Sequence, residues 1–298
     1  MRNQPESPGH EWTILKLLKW TTDYFKSYGI EGPRIGAEVL LAHSLGLQRI
    51  DLYLRYDQPL GRNELVAFKQ LIQRRTAREP VAYILGTKEF WSMELGVNRN
   101  VLIPRPETEC LVETVLSSIT ADPLSGPKRV LDLGTGSGAI ALALASQQPY
   151  YSYFASDFSK SAIITARQNA VRHNLDDKLR FFCSDWFGAL KDKRQLFDII
   201  VSNPPYIETA VIGTLQPEIC KYEPLHALDG GEDGLVHLRH IIRAAHTYLI
   251  PDGRLFLEIG HNQKDALEKI VDQCGRYGQV MFTKDYSGCD RVVQMWKK

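Results

Sequence analysis

The chain has 298 residues, 44% hydrophobic and 24% charged, with a formal net charge of +1. That length allows about two domains with real cores, and the charge balance offers no bulk pull toward nucleic acid. No apolar run approaches the length of a membrane span. The five cysteines, Cys110, Cys183, Cys220, Cys274 and Cys289, show no CxxC or Cys/His spacing, so reduced thiols and no metal site are expected. The opening "MRNQPESPGHEW" lacks the apolar core of a signal peptide, and a cytoplasmic protein is expected.

The first elements are helical. Ile14, Leu17, Leu18, Tyr24, Phe25 and Tyr28 recur at helical spacing, and Gly29, Gly32 and Pro33 stop that helix. A second helix runs through Ala37, Leu40, Leu41 and Leu45 to Gly46, and a third is expected from Asn63 as N-cap. Arg74, Arg75 and Arg78 close that third helix and are expected on a solvated face, with an acidic partner surface as the alternative. "YILGTKEFWSMELGVNRNVLIPRP" then reads as a β-hairpin, with turn signals at Gly86-Thr87 and Asn98-Arg99-Asn100. A helix follows Pro106 and "DPLSGPK" is a loop. From Arg129 onward, strands alternate with helices: "RVLDLG", "YFASD", "LRFFCSD", "FDIIVSN", "GRLFLEIG" and "DRVVQMW" are the strands. This alternation predicts an α/β, Rossmann-like domain with a mostly parallel sheet covered on both faces. Ligands of such sheets bind beyond the carboxyl ends of the strands, where Asp132, Asp157, Asp185 and Asn203 all fall.

"VLDLGTGSGAIALALA" is a strand, a glycine turn and a helix. Gly134, Gly136 and Gly138 allow close backbone approach, but in GxGxG spacing rather than the dinucleotide GxGxxG. Asp132, just before the turn, repels phosphate and favours an ammonium group. Asp157 can accept from two ribose hydroxyls, and Asp185-Trp186 offers a carboxylate for an exocyclic amine and an indole for a base face. Ammonium, ribose and adenine together describe S-adenosylmethionine; a nicotinamide domain or a bare tight turn is the alternative.

"SNPPYIE" ends the strand "FDIIV" with two prolines. Each proline pushes the residue before it into extended conformations and lacks an N–H. The Asn203 side chain and the Pro204 carbonyl are thus expected as fixed acceptors for an NH2 group, with Tyr206 stacking on a planar acceptor. The acceptor is then a conjugated amine or amide nitrogen, and positioning outweighs any single polar contact. An Asn-Pro-Pro turn without chemistry is the plain alternative.

Asn-Pro-Pro-Tyr occurs in methyltransferases acting on adenine, cytosine or glutamine nitrogens. With "EPVAYILGTKEFW", "LIPRPETE", "NPPYI", "YEPLHALDGGEDGL", "LEIGHNQ" and "KDYSGCDRVV", the chain resembles the HemK/PrmC family of release-factor glutamine methyltransferases over nearly its whole length. The resemblance implies a class I S-adenosylmethionine-dependent methyltransferase domain over 107–298, a helical substrate-recognition domain over 1–82 and a β-hairpin linker over 83–106. It implies methylation of the glutamine amide nitrogen in the GGQ motif of peptide-chain release factors by a cytoplasmic monomer. It also implies that Gly134, Thr135, Gly136, Ser137, Gly138, Asp157, Trp186 and Asn203 contact the methyl donor. Asn203, Pro204, Pro205 and Tyr206 would hold the glutamine, with Asn203 and Pro204 catalytic. Arg105 and Glu107 either order the site entrance or form an interdomain salt bridge. Glu223-Pro224 and Asp229-Gly230-Gly231 are expected to form a lid over the substrate, with a plain turn as the alternative. His237, His240 and His246, lacking any ligand set, are assigned to packing and surface. The rivals are an adenine-N6 methyltransferase of nucleic acid, for which the small charge and small appendage are unsuited, and a methyl-donor sensor, which needs no acceptor loop.

Overall fold

The computed structural model describes residues 12–120, 126–190 and 194–298. Most of the expected 122–128 loop and nearly all of the amino-terminal stretch lie outside the described residues. The chain divides into two compact units, Met1–Leu85 and Gly86–Lys298. No helix among the described residues is long and apolar enough to cross a membrane.

The first unit is helical: α1 (Ile14–Ser27), α2 (Pro33–Leu45), α3 (Arg49–Leu54), α4 (Arg62–Thr76) and α5 (Val81–Leu85). Ile14, Phe25, Leu40, Leu41, Leu52 and Phe68 fill its core. Pro33 does not only end the preceding helix; it opens α2, because its missing N–H costs nothing at a helix start. Asn63 is not a cap. Gly61 is, and its N–H donates to Glu64 Oε2 at 2.7 Å. The arginine cluster is not a solvated face. Arg74 grips Glu79 through Nε and Nη2, both at 2.8 Å, and Arg75 is buried and donates to the Glu79 carbonyl. Arg78 donates to the carbonyls of Tyr28 and Gly29. From the end of α4 these guanidiniums thus reach the carbonyls just after α1 and, through Arg74, those of Tyr83 and Ile84 in α5.

In the second unit β1 (Thr87–Phe90) and β2 (Met93–Gly96) form the antiparallel hairpin. Its turn is Trp91-Ser92, at φ 52° and 56°, while the expected turn signals flank its outer ends. Two positive φ values suit a tight hairpin but usually call for Asn or Gly, so the local signal was concealed. Then follow α6 (Glu109–Thr120), β3 (Arg129–Leu133), α7 (Ala139–Gln147), β4 (Ser152–Asp157), α8 (Lys160–Arg172), β5 (Leu179–Cys183) and β6 (Phe197–Ser202). Two short helices, α9 (Thr209–Ile212) and α10 (Pro217–Tyr222), precede α11 (Val236–Ala245), β7 (Leu249–Glu258), α12 (Lys264–Cys274), β8 (Tyr277–Lys284) and β9 (Asp290–Lys297).

The sheet order is β5-β4-β3-β6-β7-β9-β8, parallel except where β9 runs against both neighbours. Side chains alternate across it with period two. Val130, Ile199 and Val201 pack with α6, α7 and the hairpin, whereas Leu131, Leu133 and Ile200 pack with α11 and α12. The strand order reverses between β4 and β6 on either side of β3, so a crevice opens above the ends of β3, β4 and β6.

Candidate active site

Above those strand ends lies a cavity of about 400 Å³, within the usual range of small-molecule sites. Gly134, Gly136, Asp157, Asp185, Trp186, Asn203 and Pro205 line it, so residues from four strand ends meet in one place. Asp132, Thr135, Ser137, Gly138, Pro204 and Tyr206 are not among the lining residues.

The glycine turn explains part of that division. Gly134, Gly136 and Gly138 have φ of 70°, 56° and 86°, a region where side chains are strained. At Gly138, which caps α7, a Cβ would also come within 3.2 Å of Ala166 and Leu142. Thr135 turns its hydroxyl inward and donates to Asp132 Oδ2 at 2.6 Å. Asp132 is buried, and burial pushes its carboxyl up to about 7 despite the Thr135 bond and the nearby Ala141 backbone N–H; its Oδ1 has no hydrogen bond of good geometry. A buried carboxyl so weakly satisfied beside a backbone turn favours a nearby positive charge.

Asp157 accepts from Gly136 N–H at 2.9 Å through Oδ2 and from Ser159 N–H at 2.8 Å through Oδ1. It therefore fixes the glycine turn as well as facing the cavity. Burial raises its carboxyl, and the two backbone bonds oppose that. Trp186 occupies the left-handed region at φ 44°, unusual for so large a residue, and its ring lies 3.8 Å from where a Gly134 Cβ would be. Ser184 Oγ holds this turn by donating to the Trp186 carbonyl and accepting from Ala189 N–H.

At the end of β6, beside the glycine turn, Asn203 Nδ2 donates to Thr108 Oγ1 at 3.1 Å, which assigns Oδ1 as the free acceptor. Tyr206 does not present its ring to the cavity as expected. Its hydroxyl turns to Glu258 Oε1 at 3.1 Å, and the half-buried ring packs against the core. The loop then continues under the 222–235 segment. Ile207 N–H donates to the Leu228 carbonyl and Gly230 N–H to the Ile207 carbonyl. A Cβ on Gly230 would approach the Tyr206 backbone to 2.8 Å, so this close approach requires glycine.

Arg105 pairs with Glu223 inside this unit, and Glu223 Oε2 also accepts from Ile103 N–H at 3.0 Å. The pair anchors the 222–235 segment to the strand-like stretch before α6, while Glu107 is exposed. Further cavity residues were not singled out from the sequence: Asn100, Val101, Leu102, Phe158, His226 and Ala227. Thr108, which orients Asn203, was missed too, since a lone threonine in "PETE" carries no pattern. His237 was assigned to packing and surface, yet it lines the cavity with its ring 5.3 Å from Trp186, and burial lowers its pKa. Its position one residue into α11, where a helix start meets the sheet edge, was the available signal.

Comparison with known proteins agrees with this geometry. Residues 16–86 match the PrmC N-terminal domain family, and residues 108–221 match the methyltransferase small domain family. The chain is 44% identical over 282 residues to the release factor glutamine methyltransferase of Geobacter sulfurreducens, covering 95% of this chain and 96% of that protein. It is 38% identical over 287 residues to the enzyme of the same name from Rhodopirellula baltica, covering 96% and 97%. Among solved structures, the hMettl16 catalytic domain in complex with a MAT2A 3'UTR hairpin has a TM-score of 0.56 at 16% identity, covering 78% of this chain and 81% of that one. That likeness is one of fold, the Rossmann-like class I methyltransferase fold. Sequence kinship and fold together place the chain in the release factor glutamine methyltransferase family, with a PrmC N-terminal domain ahead of the methyltransferase domain.

Proposed function

We propose that the protein transfers a methyl group from S-adenosylmethionine to the side-chain amide nitrogen of the glutamine in the GGQ motif of peptide-chain release factors. The observation that carries this reading is Asn203. It lies on the cavity wall with its amide group donating to Thr108, level with Gly134 on the neighbouring strand.

The residues fit the donor. The buried Asp132 carboxyl behind the glycine turn suits a nearby ammonium group, the Asp157 carboxylate a ribose diol, and Asp185 with Trp186 an adenine edge and face. When bound, S-adenosylmethionine supplies an electrophilic methyl on a sulfonium. The acceptor amide is a weak nucleophile because its lone pair is delocalised. Asn203 Oδ1 and the Pro204 carbonyl accept its two hydrogens and orient the nitrogen. Such orientation can supply up to about 7–11 kcal/mol of barrier reduction, against about 1 kcal/mol for one neutral hydrogen bond. The nitrogen becomes acidic as it gains the methyl, so no strong base is required beforehand. Pro205 lines the wall and the Tyr206 backbone carries it. The 222–235 segment closes over the loop as a lid.

In this reading residues 1–82 recognise the release factor, residues 83–106 link the two parts, and the protein works in the cytoplasm as a monomer. Incubation with labelled methyl donor, an intact release factor and an adenine-containing RNA tests it. Label on the GGQ glutamine alone is expected. Label on the RNA would make the adenine reading correct.

A further inference from the structure

Pro204 and Pro205 have no N–H, so the centre of the acceptor loop cannot be pinned by main-chain donors. Side chains hold its two ends instead. Asn203 bonds to Thr108, and Tyr206 bonds to Glu258. Glu258 ends β7, and because Ser202 pairs with Leu257, it stands level with Asn203 on the neighbouring strand. It is fully buried. The Thr108 hydroxyl, accepting from Asn203, lies close enough to lower the proton affinity of the Glu258 carboxyl, yet Oε2 has no hydrogen bond of good geometry. One end of the loop is therefore bonded to this carboxyl, and the threonine that holds the other end stands beside it.

We infer that Glu258 is the positioning residue of the acceptor loop, holding Tyr206 directly and Asn203 through Thr108, and so setting the angle at which the amide nitrogen is presented. The inference rests on the methyl-transfer reading. Glu258 does not line the cavity, so it acts through these partners and not on the substrate. An apolar residue would be the cheaper occupant of a buried strand end, but it would leave the Tyr206 hydroxyl unpartnered and the loop end held only through backbone groups, the Tyr206 carbonyl by Gln263 Nε2 at 3.1 Å and Ile207 by Leu228. Arg291 and the exposed Glu107 also act electrostatically on Glu258, but Arg291 is committed elsewhere: its Nε pairs with Asp285 at 3.0 Å and its Nη1 donates to the Ile259 carbonyl. Burial outweighs the hydroxyls and Arg291 and pushes the Glu258 carboxyl up to about 6.

The test compares Tyr206→Phe, Thr108→Val, Glu258→Ala and Glu258→Gln in transfer to an intact release factor at saturating donor, alongside affinity for the demethylated donor. Misplacement on the order of 1 Å can cost about a hundredfold, so Glu258→Ala should lose about that in kcat and each partner variant about tenfold. KM and product affinity should stay within about twofold, because the donor wall is untouched. Tyr206→Phe added to Glu258→Ala should cost nothing more, since residues acting through one contact are non-additive. Glu258→Gln keeps the acceptor for Tyr206 and should recover most of the rate. Full activity in Tyr206→Phe and Thr108→Val would overturn the inference even if Glu258→Ala fails to fold. Parallel losses of rate, product affinity and melting temperature would reduce Glu258 to a fold-stabilising role and overturn it equally. A wild-type protein that labels no glutamine contradicts the methyl-transfer reading, and this inference with it. An active wild type with an equally active Glu258→Ala contradicts this inference alone.

Discussion

Three carboxyl and aromatic positions decide how the donor wall behaves. Asp157 is committed to two backbone N–H groups and still faces the cavity, so Asp157→Ala removes both the proposed ribose contact and the brace on Gly136. Charged hydrogen bonds contribute about 1.5–3 kcal/mol, so affinity for the demethylated donor should fall at least about tenfold by calorimetry. A change under about twofold would show that the carboxylate faces no ligand. Trp186→Ala removes one aromatic face; aromatic contacts add about 0.5–1.5 kcal/mol beyond burial, so a loss of about 3- to 10-fold is expected, with little change in rate at saturation. Asp132 behaves differently. Its carboxyl, raised to about 7 in the fold, binds a proton that the unfolded chain has already released above the ordinary carboxylate range. Its contribution to stability is thus fully present below about pH 4 and is lost as pH rises through about 7. Asp132→Asn should raise the melting temperature of the ligand-free protein at pH 8, have little effect at pH 4, and weaken donor binding. A lowered melting temperature at pH 8 would show that the ionised carboxylate is well solvated.

At the scale of elements, the hairpin is bound to the glycine turn through one side chain. Asn169 on α8 is 2% exposed; its Oδ1 accepts from Gly96 N–H at 2.7 Å, and its Nδ2 donates to the carbonyls of Gly96 and Ser137. Asn169→Ala leaves buried polar groups on two elements unpaired, at about 1–3 kcal/mol each before relaxation. A destabilisation of about 2–4 kcal/mol in urea unfolding is expected, and a change below about 0.5 kcal/mol would mean that water replaces the amide. The sequence pattern made α7 and most of the sheet legible because their apolar runs are long and bounded by glycine, proline or polar caps. It did not reveal α3, whose six residues are too short for a periodic signal, or β8, whose solvent-facing half dilutes the alternation. Within the site, strand-end residues such as Asp157 and Asn203 were legible because the fold class predicts where strand ends converge. Thr108, His237 and Glu258 were not, since their importance depends on which distant segments fold beside them. Tyr206 was read as a stacking face because the motif cannot show which way a phenol turns; the buried acceptor at Glu258 settles that.

At the scale of the whole molecule, the two units have separate cores. Phe25 lies at the centre of the helical one, fully buried among Leu17, Leu40 and Leu41. Phe25→Ala should cost about 3–5 kcal/mol, enough to unfold a small helical unit. If that unit recognises the release factor, transfer to the intact factor should fall steeply while affinity for the demethylated donor survives. Loss of both together would indicate one cooperative body. The central claim concerns the acceptor loop, and Asn203→Ala tests it most directly. Asn203 stands at a strand end, so truncation opens no core cavity, yet it removes one of two acceptors that orient the amide. Wild type and Asn203→Ala are incubated with labelled donor and an intact release factor, and the label is followed by peptide mass. The account predicts label on the GGQ glutamine from the wild type, none from the variant, and much of the donor affinity retained by both. Label on any other residue, or a near-normal rate from Asn203→Ala, would contradict both the substrate and the mechanism.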